Sequence, residues 1–202
     1  MEKKIIINIG RQFGSGGKDI AAALGRKLDI PVYDGELIDK AAQDSGFSAE
    51  LFKKSDEKKS FSFSALFGGT FIGGSDEYMS GSGLFKMQSE TILKIAEQGS
   101  AVIVGRCSDY ILRDHENALN VFITAPLEDR MKRTCERGEA TPENVEHFVN
   151  KKDKGREEYY NYYSFGNWGM ASGYDICINS SVLGIEGSAD FIIEFARRSG
   201  LL

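Results

Sequence analysis

The chain has 202 residues, 41% hydrophobic and 27% charged, enough for one domain with a proper core and ordinary for a soluble globular protein. A formal net charge of -5 gives no support to duplex nucleic acid as a partner. Cys107, Cys135 and Cys177 are widely spaced with no C-x-x-C, which argues against a disulfide framework or a zinc site. Met1-Glu2-Lys3-Lys4 leads directly into a strand and no apolar run approaches membrane-spanning length. The expectation is a cytoplasmic protein with no membrane partner.

Ile5-Ile6-Ile7-Asn8-Ile9 is a β-branched run that opens onto Gly10-Arg11-Gln12-Phe13-Gly14-Ser15-Gly16-Gly17-Lys18. Helical spacing of Ile20, Ala23, Leu24 and Leu28 follows. Strand, glycine-rich loop, lysine and helix is the layout of a phosphate-binding loop. Its glycines let backbone N–H groups surround an anion, the helix N-terminus adds partial positive charge, and Lys18 offers a mobile point charge. The full signature G-x-x-x-x-G-K-[ST] is not met, because Gln12 holds the first glycine position and Asp19 replaces the hydroxyl residue. A dinucleotide fingerprint is the nearer competitor, with Gly14 and Gly16 as G-x-G and Asp34 as the ribose acid. Its third glycine falls on Asp19, and it gives Lys18 no role.

Ile30 to Tyr33 reads as a second strand ending at Asp34, and Leu37, Ile38, Ala41 and Ala42 as a helix. Ser48 to Lys54 reads as another short helix. From Ser60 to Gly83 phenylalanines and glycines mix with no period of 2 or 3.6, which suggests an inserted segment on the substrate side. A helix is expected over Gln88–Gln98, a buried strand over Ser100–Val104 running into Gly105-Arg106, and a strand over Asn120–Thr124. Pro126 is placed at the first position of a helix that ends before Gly138, and Thr141 caps a longer helix. Asp175–Asn179 is the last strand and Ile185–Arg198 the last helix.

Alternating strands and helices predict an α/β fold, a doubly wound parallel sheet of about five strands. Ligands of such sheets bind beyond the carboxyl ends of the strands, where Gly10–Lys18, Asp34, Gly105-Arg106 and Thr124 would gather. Arg106 follows a buried strand directly. Arg130, Arg133 and Arg137 recur at helical spacing, as an exposed basic face or as phosphate ligands. On the Thr141 helix, Lys152, Asp153 and Arg156 continue the apolar stripe of Phe148 and Val149. Charged groups there need a partner or a ligand, either an internal Asp153–Arg156 pair or a lid bringing Arg156 onto a transferring phosphate. His115 and His147 read as helix-surface residues without a triad pattern.

In this order the motifs resemble the cytidylate kinase-like group of P-loop nucleoside monophosphate kinases over nearly the whole chain. The resemblance rests on the Gly10–Lys18 loop, Ile30-Pro31-Val32-Tyr33-Asp34, Val102-Ile103-Val104-Gly105-Arg106, Val121-Phe122-Ile123-Thr124-Ala125 with Glu128 and Arg130, and Tyr174 to Asn179. It implies a single P-loop kinase-like domain over 1–202, with 55–88 as the inserted acceptor-side segment and 139–170 as the lid. It also implies ATP as donor, Mg²⁺ as bridging ion, and a small nucleotide acceptor such as CMP or dCMP.

On that resemblance Lys18, Arg156 and Asp153 are the catalytic candidates. Arg11, Gly14, Ser15, Gly16, Gly17, Lys18, Asp19 and Arg133 would hold the cofactor, and Asp34, Lys40 and Arg106 the acceptor, with no protein metal site. Asp19 after the lysine departs from the family pattern and would repel phosphate unless Mg²⁺ intervenes or it caps its own helix. Gly35-Glu36 also departs from the Ser-Gly expected after Asp34. The alternative is a catalytically silent nucleotide-binding module of the same fold. A homodimer is left open by the sequence.

Overall fold

The computed structural model describes residues 4–44 and 81–202. The helix expected at 48–54 and all of the 55–88 segment before Gly81 lie outside the described residues, as does the side chain of Lys40.

Among the described residues five strands form one sheet: β1 (Ile6–Arg11), β2 (Val32–Tyr33), β3 (Ala101–Val104), β4 (Ala118–Thr124) and β5 (Ile176–Asn179). Their order is β2-β3-β1-β4-β5, and every pairing is parallel. The helices are α1 (Gly17–Leu28), α2 (Gly35–Asp44), α3 (Gly81–Gln98), α4 (Ser108–Ile111), α5 (Leu127–Glu136), α6 (Val145–Ser164) and α7 (Ser180–Arg198).

Alternation along β1 sets the two layers. Ile5, Ile7 and Ile9 point to the face covered by α1 and α7, where they meet Leu24, Val121 and Ile192. Ile6 points to the opposite face, with Ile38, Ile92 and Ile103 beneath α2 and α3. A central strand buried on both faces is largely apolar, which is why β1 reads as an isoleucine run; its buried Asn8 donates Nδ2 to Asn120 Oδ1 on β4 (2.9 Å). The same register brings the site together. Ile9 lies opposite Val104 and Arg11 opposite Ile123, so the loop after β1 emerges beside Gly105-Arg106 and the end of β4.

Element boundaries differ from expectation where tertiary contacts outweigh local sequence. α3 begins at Gly81, not Gln88, because Met87 and Gln88 are buried and Phe85 stacks on Tyr163 at 4.1 Å. Glycines at 81 and 83 mask that helix in the sequence. α6 starts at Val145, its backbone N–H bonded to Thr141 O (2.9 Å), so Thr141 opens a turn ahead of the helix. α7 starts at Ser180 under an Asn179 cap and is interrupted at Gly184 (φ 67°, ψ -176°), which hid its first turn. His147 is exposed on α6 as expected; His115 instead lies in the turn before β4, where Nδ1 accepts from Asn117 N (3.4 Å). Among the described residues no helix is long and apolar enough to cross a membrane.

Candidate functional site

The loop between β1 and α1 turns on two left-handed glycines, Gly14 (φ 72°) and Gly16 (φ 81°). A Cβ on Gly14 would sit 2.6 Å from Arg130 O, and one on Gly16 2.5 Å from Ile185 Cδ1, so neither position accepts a side chain. Ser15 is fully buried; its hydroxyl donates to Gln12 O (2.8 Å) and its carbonyl accepts from Ser180 Oγ (2.6 Å). The Ser15 side chain therefore shapes the loop from within. The first helical bond of α1 runs from Ile20 N to Gly16 O, so the N–H groups of Gly17, Lys18 and Asp19 stand ahead of the ladder. Three N–H donors, a helix N-terminus and a lysine suit a polyphosphate.

Basic side chains close on this loop from three other elements. Arg11, at the end of β1, has its guanidinium across Gly105, where a Cβ would lie 2.1 Å from Nη1. Burial, then the charges of Arg156 and Arg106, hold its pKa well below the ordinary arginine value. Arg156, from α6, donates to Arg11 O (3.1 Å) and lies over the Phe13 ring at 5.1 Å. Burial pushes it down to about 10 although Asp153 opposes the shift. Arg106, just past β3, makes a two-pronged contact with Asp39 of α2, Nε to Oδ1 at 3.1 Å and Nη2 to Oδ2 at 2.5 Å. A Cβ on Gly35 would come within 3.1 Å of that guanidinium, so Gly35 leaves room for Arg106 to cross the start of α2.

Asp34 ends β2. Its Oδ1 accepts from Leu37 N (3.1 Å), and its Oδ2 lies 2.7 Å from Lys18 Nζ. Burial works to raise the Asp34 pKa, but the Lys18 hydrogen bond and the backbone donors prevail and hold it below the usual range. The Asp34 hydrogen bond raises Lys18 in turn.

On the α6 stripe the closest partner of Asp153 lies on another helix. Asp153 pairs chiefly with Arg130, Oδ2 to Nη1 at 2.5 Å, while Arg156 is 3.9 Å from Oδ1. Oδ1 accepts from Phe13 N at 2.6 Å. Lys152 lies over Phe148 at 5.2 Å, and Phe148 packs edge-on to Phe13 at 5.5 Å. These groups on the stripe all serve contact with the phosphate loop. On α5, Arg130 is buried, so the three arginines are no exposed basic face. Arg130 donates to Ala125 O (3.1 Å) and Phe13 O (3.3 Å), and Arg133 to Gly14 O (3.2 Å) and to the Ser180 and Ser181 hydroxyls (3.3 Å each). Arg137 pairs with Asp19, which offsets that carboxylate's charge beside the loop.

Lys18, Arg11, Arg106, Arg156, Asp34 and Asp153 thus gather at one sheet edge, with Gly14, Ser15, Gly16, Gly17, Asp19 and Arg133 forming or bracing the loop. Sequence reasoning missed Asp39 as the Arg106 partner, Gln88 behind it, and Gln12, whose Oε1 accepts from the Thr124 hydroxyl and Ala125 N. No local pattern signals Gln88, 49 residues from Asp39 in sequence. No group of three or more His, Cys, Asp or Glu side chains able to hold a metal occurs among the described residues.

The sequence model of the cytidylate kinase-like family matches residues 6–182. A search of the curated proteins finds no match. Among solved structures, an uncharacterized protein from Eubacterium ventriosum ATCC 27560 is 31% identical, with a TM-score of 0.74 over 95% of this chain and 98% of its own. The shikimate kinase of Acinetobacter baumannii, solved in complex with shikimate, is 15% identical, with a TM-score of 0.54 over 100% of this chain and 97% of its own. That of Bacteroides thetaiotaomicron is 15% identical, with a TM-score of 0.55 over 96% of this chain and 98% of its own. The two shikimate kinases show the fold alone: a five-stranded parallel sheet flanked by helices, as in P-loop kinases.

Proposed function

The chain belongs to the cytidylate kinase-like family, and we propose that it transfers the γ-phosphoryl group of Mg·ATP to a small phosphorylated acceptor, with CMP or dCMP as the first candidates. The observation that carries this reading is the convergence of Lys18, Arg11, Arg106 and Arg156 on one glycine-rich loop. Phosphoryl transfer needs its reactants held in line and their charge offset, and little covalent help.

In this reading the N–H groups of Gly17, Lys18 and Asp19 hold the donor's phosphates. Lys18 exposes 66% of its side chain, so exchanging Asp34 for a phosphate oxygen costs only a solvent-screened ion pair. Arg11 and Arg156 face the transferred group, and Arg106 takes the acceptor's phosphate. Arg133, Arg130 and Asp153 fix the loop and α6 around them. Lys40, on α2, falls on the acceptor side. Mg²⁺ would arrive on the nucleotide's phosphates and supply charge neutralisation, with Asp34 as the nearest carboxylate to Lys18. The 139–170 region, which contains α6, acts as the lid.

A second reading, a nucleotide-binding module that transfers nothing, is favoured by Asp19 standing where the family carries a hydroxyl. One experiment separates the two: ADP release from Mg·ATP across a panel of nucleoside monophosphates, with Lys18→Ala as control. Acceptor-dependent release is expected with CMP or dCMP and should fall at least about a hundredfold in Lys18→Ala. Saturable ATP binding with no acceptor-dependent release would establish the silent module instead.

A further inference from the structure

Behind Arg106 a line of hydrogen bonds crosses the molecule. The Tyr159 hydroxyl on α6 meets Gln88 Oε1 on α3 at 2.7 Å, and Gln88 Nε2 meets Asp39 Oδ1 on α2 at 2.7 Å. Asp39 in turn grips Arg106 through both carboxylate oxygens. Gln88 is fully buried and Tyr159 nearly so, at 8% exposure. Four residues far apart in sequence are thus joined by polar contacts that run from the buried Tyr159 and Gln88 to the part-buried Asp39 and Arg106.

The line has a single direction. A carboxylate facing a guanidinium can only accept, so Gln88 must present its NH₂ group to Asp39. Its carbonyl then faces Tyr159, and the tyrosine hydroxyl must donate. Each donor fixes the orientation of the next group, and the last group fixed is the Arg106 guanidinium. Buried polar groups so arranged are held strongly, because any reorientation leaves a donor or acceptor unpaired.

Tyr159 lies three residues beyond Arg156 on α6, so the two side chains leave neighbouring positions of one helix. Arg156 runs to the phosphate loop, while Tyr159 runs through Gln88 and Asp39 to Arg106. We propose that Tyr159 and Gln88 are positioning residues that make the placement of Arg106 depend on the seating of α6. The donor-side and acceptor-side arginines are then set by one helix. This rests on the reading of Arg106 as the acceptor's ligand.

The test is calorimetric titration of CMP, and separately of ATP, into the full chain and its variants. Gln88→Met keeps the volume and removes both contacts; it is expected to weaken CMP about tenfold, with ATP within about twofold. Tyr159→Phe removes one donor and is expected to weaken CMP by about three- to fivefold. Arg106→Ala combined with Gln88→Met should bind CMP no more weakly than Arg106→Ala alone, because Gln88 acts only through the arginine. A general packing defect would instead add to the loss. Wild-type affinity in cooperatively melting Gln88→Met and Tyr159→Phe, or additive losses in the double variant, would overturn the relay. If Gln88→Met does not fold, Tyr159→Phe decides.

Failure of the wild-type chain to bind CMP, or undiminished binding by Arg106→Ala, would sink the acceptor reading. The relay would still be legible in the NMR resonance of the Arg106 Nε–H, which should shift in both Gln88→Met and Tyr159→Phe. A resonance unmoved in both would overturn the relay by itself.

Discussion

Replacing Asp153 by alanine tests how α6 is fastened to the phosphate loop. Asp153 and Arg130 expose only 14% and 8% of their side chains, and their ion pair is 2.5 Å long. The substitution leaves the Arg130 guanidinium with the neutral carbonyls of Ala125 and Phe13, and removes the acceptor of the Phe13 N–H. Taking one partner from a buried pair costs about 3–5 kcal/mol, because the remaining charge stays desolvated. In a chain of this size each kcal/mol lowers the melting temperature by about 2–4 °C, so a fall of roughly 6–20 °C is expected.

Differential scanning calorimetry at neutral pH measures it directly. Asp153→Asn keeps an acceptor for Phe13 N and should lose roughly half as much. Arg130→Met with Asp153→Leu should lose less than the sum of the single changes, since no buried charge is left alone. An Asp153→Ala melt within about 2 °C of wild type, or strictly additive single changes, would refute this account. Asp153→Asn retaining its melting temperature while losing turnover would point to a chemical role for the carboxylate.

Two further expectations concern the loop's neighbours. Asp34 has a lowered pKa, so its contribution to stability is fully present above its unfolded value of about 3.9 and is lost as pH falls through the lower folded value. Lys18 has a raised pKa, so its share is full below about 10.4 and is lost as pH rises through the higher folded value. The melting difference between wild type and Asp34→Asn, which retains the α2 cap, should hold from about pH 5 to 9 and shrink towards zero below about pH 4; a difference growing in acid would contradict the pairing. Gly105→Ala meets both a φ of +77° and Arg11 Nη1 at 2.1 Å. It should cost about 1–2 kcal/mol, a fall of roughly 2–8 °C, and weaken ATP binding by displacing Arg11; an unchanged melt would count against the close approach.

Much of the architecture is legible in the residues themselves. Val102 to Val104 and Val121 to Ile123 are apolar without interruption, and Ile5 to Ile9 is broken only by Asn8, whose buried amide bonds Asn120, because parallel strands with helices on both faces have no wet side. Glycines at 14 and 16 mark the loop because only glycine takes those left-handed angles beneath Arg130 and Ile185 without strain. Strand period, glycine spacing and the lysine after them are local properties, and a linear chain carries local properties openly.

What the tertiary structure alone decided is which charge meets which. Asp153 has Arg156 three residues away yet pairs more closely with Arg130, 23 residues distant, because only Arg130 is brought to it in line with the Phe13 N–H. Asp19 meets Arg137 across 118 residues. Gln88 links Tyr159 to Asp39 only because α3 passes between α6 and α2. A buried ion pair or amide bond is selected by the direction and distance of side chains leaving different elements, over a few ångströms, in a medium that penalises every unpaired group. Sequence spacing holds no record of those directions, so the partners appear only when the elements are packed.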